Sequence, residues 1–116
     1  MYKRQVLINF NKEIIKALQQ QNCNSQTISS KQNNIITVVQ ESADLGFVGT
    51  PTKINKTIID KIVEEKKVPV IAPLGLDESN QTYNINADTA AGSIAKKIEA
   101  RRLIICLLYT SPSPRD

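Results

Sequence analysis

The sequence predicts an α/β domain built on a mainly parallel sheet, and three observations carry that prediction. Short β-branched runs alternate with segments of helical periodicity, an order that pairs strands in parallel and lays helices on the sheet faces. One run, Val68-Pro69-Val70-Ile71-Ala72, is apolar throughout, as strands covered on both faces are. The composition is globular, with 41% hydrophobic and 22% charged residues among 116, a length that suits one domain.

The first helix is expected from Asn11, whose side chain can cap free backbone N–H groups, to about Gln21. Ile14, Ile15 and Leu18 then share one face. A polar stretch runs from Asn22 to Asn34, with a short strand at Thr27 and Ile28 and a turn from Lys31 to Asn34. Ile35 to Val39 reads as a strand. Leu45-Gly46-Phe47-Val48-Gly49 reads as another, weakened by its glycines.

Asn55 is the expected cap of a second helix, and Ile54 and Ile59 have the spacing of a hydrophobic staple. Its buried stripe is Ile58, Ile59, Ile62 and Val63, with Asp60, Lys61, Glu64 and Glu65 outside. The apolar strand follows, and Asp77 to Gln81 makes a polar turn. A third helix starts near Asp88, turns Ala91, Ile94, Ala95 and Ile98 inward, and ends around Ala100. Leu103-Ile104-Ile105 begins a further strand.

Several function classes are excluded at this level. The net charge is only +4 and the basic residues do not interleave with aromatics, so no nucleic-acid surface is indicated. The longest apolar run, Leu103 to Tyr109, falls far short of the roughly 20 residues that span a bilayer. No signal peptide is expected, because the first apolar stretch ends at Ile8. With two Cys and no His, neither a disulfide framework nor a zinc site is expected, and no residue of this sequence is singled out as a metal ligand. A soluble, intracellular protein is the expectation.

One segment has chemical character. Asn84-Ile85-Asn86-Ala87-Asp88-Thr89-Ala90-Ala91-Gly92 lies where the chain leaves a loop and enters a helix. Alternation puts Asn84 and Asn86 on one side and Ile85 on the other. Asp88 falls at the helix start, and Ala90, Ala91 and Gly92 are too small to block a ligand. Two amides and a carboxylate beside a helix end could orient a polar, anionic substrate. Spacing alone favours Asp88 as a cap and the asparagines as turn residues, because caps are far commoner than sites.

Asp44 to Gly49, Val68 to Gly75 and Tyr83 to Ala95, in this order and spacing, resemble the acetylglutamate kinases of the amino acid kinase family. The block Tyr83-Asn84-Ile85-Asn86-Ala87-Asp88, together with Pro69 to Pro73, is the specific part. The Asp-Thr-Ala-Ala portion alone is shared with uridylate kinases. One stretch departs from the pattern: Ser29-Ser30-Lys31-Gln32-Asn33 stands where the family has Ser-Gly-x-Asp-Gly.

The resemblance implies a three-layer, Rossmann-like amino-acid-kinase fold, present here as an incomplete fragment. It also implies ATP- and Mg²⁺-dependent phosphorylation of the side-chain carboxylate of N-acetyl-L-glutamate, in arginine biosynthesis. By motif position Asp88 would hold the catalytic lysines, Asn84 would bind acetylglutamate, and Asn86 would lie close to the same ligand. The lysines and the glycine-rich phosphate loop have no counterpart here, so the chain itself is expected to be inactive. The parent is expected to be a homo-oligomer, cytoplasmic or in a plastid stroma. Two alternatives remain: another relative such as a uridylate kinase, or a non-catalytic substrate-binding domain.

The ends read differently from the middle. Two prolines break any element between Thr110 and Asp116, as in a disordered tail. However, Tyr2 to Gln5 can be encoded TAT AAG AGA CAG, and with a GTG start codon before it the reverse complement translates as Cys106 to Thr110. Residues 1–5 and 106–116 thus resemble a translated transposase adapter from sequencing libraries. On that reading 6–105 is the central fragment of the kinase domain.

Overall fold

The computed structural model describes residues 2–29, 34–42, 44 and 46–106. In chain order the elements are α1 (Tyr2–Gln20), β1 (Ser25–Ile28), β2 (Ile36–Gln40), β3 (Gly49–Ile54), α2 (Lys56–Glu64), β4 (Val68–Ile71), β5 (Leu74–Leu76), β6 (Thr82–Asn84) and α3 (Ala87–Lys97). The α/β class holds. A parallel ladder joins β1 to β4, from Ser25 opposite Val68 to Ile28 opposite Ile71. A second sheet has the order β3-β2-β5-β6. In it β2 and β5 are parallel, whereas β3 and β6 join antiparallel to their chain neighbours. Parallel partners need a long crossover and antiparallel ones only a turn; here α2 lies within the crossover and Asp77 to Gln81 makes one turn.

The first helix differs from expectation at its start: it begins at Tyr2, and Asn11 lies inside it. Leu7, Ile8, Ile14, Ile15 and Leu18 are half-buried and Asn11 fully buried, a helical stripe with one polar member. The Asn11 amide Nδ2 donates to Thr27 Oγ1 at 2.9 Å and to the Val70 carbonyl at 3.2 Å. A residue suited to a cap instead fastens α1 to both strands of the parallel ladder.

The strand expected at 45–49 lies further on. Gly46 turns with φ +66, its carbonyl accepting from Gln40 Nε2 at 2.8 Å. Val48 bridges to Asn84, and the strand proper begins at Gly49. It runs through Pro51, which has no N–H, as an edge strand permits. The register shifts at Thr37/Val38, and the Thr52 hydroxyl donates to the Thr37 carbonyl at 3.2 Å. Leu45, residues 31–33 of the expected turn and 107–116 lie outside the described residues.

The core gathers Ile28, Ile36 and Val38, all nearly inaccessible, with Ile54, Ile59, Ile62, Tyr83, Ile85 and Ala90. Two glycines allow its close packing. A Cβ on Gly49 would sit 2.9 Å from Val38 Cβ and 3.0 Å from Tyr83 Cβ. One on Gly75 would meet Val38 Cγ1 at 2.6 Å and the Ile36 carbonyl oxygen at 2.7 Å.

Asn55 precedes α2 as expected, but its side chain makes no cap hydrogen bond. Its backbone N–H instead donates to the Ile35 carbonyl at 2.7 Å, tying the helix start to β2. Ile59 and Ile62 are buried, whereas Val63 is exposed. All three helices end in the same motif. The N–H groups of Cys23, Lys67 and Ala100 reach back to Leu18, Ile62 and Ala95, with Asn22, Lys66 and Glu99 at positive φ. The strand expected at Leu103 to Ile105 does not form; those residues are exposed and unpaired among the described residues.

Candidate functional site

The turn from β5 to β6 sets the approach to the site. Asp77 Oδ1 accepts the N–H groups of Ser79 at 2.8 Å and Gln81 at 2.9 Å. The Gln81 N–H, first among these donors, holds the Asp77 carboxyl below the usual carboxylate range. Burial pushes the Tyr83 phenol up, and the neighbouring Asp77 carboxylate adds to the rise. The Tyr83 ring packs edge-to-face on Phe47, with centroids 5.6 Å apart.

Asn84 ends β6 and is held from two sides. Its strand pairs with Leu74, and its N–H donates to the Phe47 carbonyl at 2.8 Å. Ile85 is buried, its N–H donating to the Pro73 carbonyl at 2.9 Å. The expected alternation is therefore present: Ile85 faces the core, Asn84 is half-buried and Asn86 exposed.

The cap of α3 is Asn86 rather than Asp88. Asn86 Oδ1 accepts the Thr89 N–H at 3.1 Å and lies 3.4 Å from the Thr89 hydroxyl. Asp88 sits exposed in the first turn, where the helix dipole favours a carboxylate. Among the described residues the ion pairs are Lys56–Asp60 and Lys67–Glu65, so no described lysine pairs with Asp88. Ala90, expected beside the ligand, instead packs into the core. A Cβ on Gly92 would meet nothing within 4 Å.

Asn84, Asn86 and Asp88 thus come together at one strand end and one helix start. The half-buried Asn84 amide and the Asp88 carboxylate are free of side-chain partners among the described residues, and Asn86 keeps Nδ2 unspent. An apolar groove of about 360 Å³, lined by Pro69, Ile71, Pro73, Ala91, Ile94 and Leu103, runs along α3 beside this site without including its three polar residues. No described group of three Cys, Asp or Glu could hold a metal ion. Gly49 and Gly75 lie in β3 and β5, packed against Val38. Among them no helix is long and apolar enough to cross a membrane.

Residues 1–107 match the model of the amino acid kinase family. The chain is 65% identical over 100 residues to the acetylglutamate kinase of Pelagibacter ubique strain HTCC1062, covering 86% of this chain and 35% of that one. It is 45% identical over 95 residues to the acetylglutamate kinase of Roseobacter denitrificans, covering 82% and 33%. The chain thus spans about a third of the length of these curated relatives. The solved structure of smu.665 from Streptococcus mutans UA159 superposes with a TM-score of 0.72 at 30% identity, over 77% of this chain and 37% of that one.

Proposed function

Because this chain belongs to the amino acid kinase family, we propose that it is the part of an acetylglutamate kinase that seats the phosphoryl acceptor. The whole enzyme, on this reading, transfers the γ-phosphoryl group of ATP to the side-chain carboxylate of N-acetyl-L-glutamate in arginine biosynthesis. The observation that carries the reading is the 65% identity to an acetylglutamate kinase over a chain that keeps Asn84 and Asp88 unspent at one helix start. Residues 6–105 are the kinase segment on this reading, and 1–5 and 106–116 are adapter-derived. A homo-oligomer in the cytoplasm or a plastid stroma completes the proposal.

The acceptor needs no general base, since a carboxylate of pKa about 4.3 is ionised at neutral pH. The enzyme's work is positioning and charge neutralisation. Asn84, with its backbone fixed by Phe47, offers both a donor and an acceptor to the acetamido group of the substrate. Asn86 caps α3 through Oδ1 and turns Nδ2 to the same ligand. Asp88 holds a lysine ammonium by a charge-assisted hydrogen bond, so that the cation rather than the carboxylate faces the two anions. ATP and Mg²⁺ supply the phosphoryl group and its charge compensation from parts of the enzyme that lie elsewhere.

In the full-length enzyme Asp88→Ala should lower kcat by at least about a hundredfold, as loss of a transition-state electrostatic group does. Asn84→Ala should mainly raise KM for acetylglutamate. Asn86→Asp keeps the cap and loses the donor, so it should raise KM without lowering Tm. Wild-type kinetics in Asp88→Ala and Asn84→Ala would remove the assignment. The 116-residue chain should show no acetylglutamate-dependent ATP turnover.

A further inference from the structure

Phe47 grips two consecutive residues of β6 in different ways. Its ring meets the Tyr83 ring edge-to-face, with centroids 5.6 Å apart and planes inclined at 65°. Its carbonyl accepts the Asn84 N–H at 2.8 Å. The strand it holds has little else on that side. β6 is three residues long and ends the sheet order β3-β2-β5-β6, so β5 supports one flank only. On the other flank Asn84 meets the Phe47 carbonyl and the bridge to Val48. The segment 46–48 is itself tied down on either side of Phe47. Gln40 Nε2 donates to the Gly46 carbonyl and the Glu41 N–H to the Val48 carbonyl, both at 2.8 Å.

Two further observations give the Phe47 ring a task at the site rather than in the core. It is 44% exposed and stands outside the core cluster, whereas Tyr83 belongs to it. Consecutive strand residues project to opposite faces, so a ring packed on Tyr83 lies on the face away from the Asn84 amide. Phe47 therefore acts on Asn84 through the strand, without touching what the amide binds. On the reading of this segment as the acceptor seat, we propose that Phe47 is a positioning residue. Its ring on Tyr83 and its carbonyl on the Asn84 N–H together fix the direction in which the Asn84 amide meets acetylglutamate. A side chain held in its binding direction beforehand loses less freedom when the ligand arrives, and the gain appears as affinity.

Steady-state kinetics of the full-length enzyme containing this segment provide the test. Phe47→Leu keeps an apolar side chain and loses the ring. It should raise KM for acetylglutamate by about two- to tenfold, the worth of one aromatic pair, with kcat and KM for ATP as in the parent. Phe47→Tyr keeps the ring and should restore the parental KM. Tyr83→Leu removes the same contact from the other side, so the double variant should be no worse than the poorer single one. Asn84→Ala, assayed alongside, separates two levels of failure. A parental KM in Asn84→Ala removes the acceptor seat and the positioning role with it. A raised KM there beside a parental KM in Phe47→Leu overturns the positioning role alone. Additive effects of the Phe47 and Tyr83 variants, a matching change in KM for ATP, or no rescue by Phe47→Tyr would also overturn it.

Discussion

Gly75→Ala is expected to destabilise the chain by about 1 kcal/mol, and the direction follows from three distances. The added Cβ would lie 2.6 Å from Val38 Cγ1, 2.7 Å from the Ile36 carbonyl oxygen and 3.2 Å from Ile85 Cδ1. Carbon contacts are optimal near about 3.5–4.0 Å, so the strands must part by roughly 1 Å. Val38 cannot yield, because it is nearly inaccessible and also abuts Gly49. The Ile36 oxygen belongs to the backbone of β2, the strand between β3 and β5. Overpacking of this kind costs about 1–3 kcal/mol, offset by about 0.4–1 kcal/mol from the stiffer unfolded chain. At about 4–8 °C per kcal/mol for a domain of this size, Tm should fall by about 6 °C. Far-UV circular dichroism during heating, at micromolar concentration, measures it. Gly92→Ala is the matched control: its Cβ meets nothing, and Ala exceeds Gly by about 0.8–1 kcal/mol inside a helix, so its Tm should rise. A Gly75→Ala chain as stable as the parent, or two variants moving in the same direction, would refute the reasoning.

Two further outcomes follow from local geometry. Lys66→Gly should raise stability by about 1 kcal/mol, because φ 65 after α2 strains any residue with a Cβ; urea unfolding reads this as a higher midpoint. Asp77, its carboxyl held low by backbone donors, contributes stability that is present above the unfolded pKa of about 3.9. That contribution is lost as pH falls through the lower folded value. Asp77→Asn should therefore be less stable at neutral pH and should flatten the acid limb of a Tm–pH profile, whereas an unchanged limb would contradict the assignment.

The elements that could be read from sequence are those whose local signals agree with their packing. Ile35 to Val39 and Val68 to Ala72 are β-branched or apolar runs, and both are strands within a residue of expectation. The misses have physical causes. Asn11 carries a capping side chain, but its tertiary partners Thr27 and Val70 outweigh that preference. Pro51 argues against a strand locally, and only an edge with a register shift can accommodate it. The helix ends carry Asn22, Lys66 and Glu99 in place of glycine, so nothing in composition marks them. Leu103 to Ile105 have a strand-like composition, but a strand needs a neighbour, and none of the described residues provides one. At the candidate site, the grouping of Asn84, Asn86 and Asp88 was legible from alternation. The division of labour was not, because whether Asn86 or Asp88 caps the start of α3 depends on a two-residue difference in where the helix begins.

The Asn11 hydrogen bond to Val70 links positions 59 apart in the chain, and this imposes an order in time. As the chain emerges from a ribosome, α1 can wind early, since helices need only near neighbours. It has nowhere to dock until β4 exists, because one of its two anchoring acceptors belongs to that strand. The β2–β3 and β5–β6 ladders join chain neighbours and close small loops, whereas the β1–β4 ladder must first enclose α2 and the strands between, at greater entropic cost. Assembly is thus gated by the synthesis of Val68 to Ile71. Until then an amphipathic helix waits with its inner stripe uncovered, the interval in which a nascent chain is most exposed to misassociation.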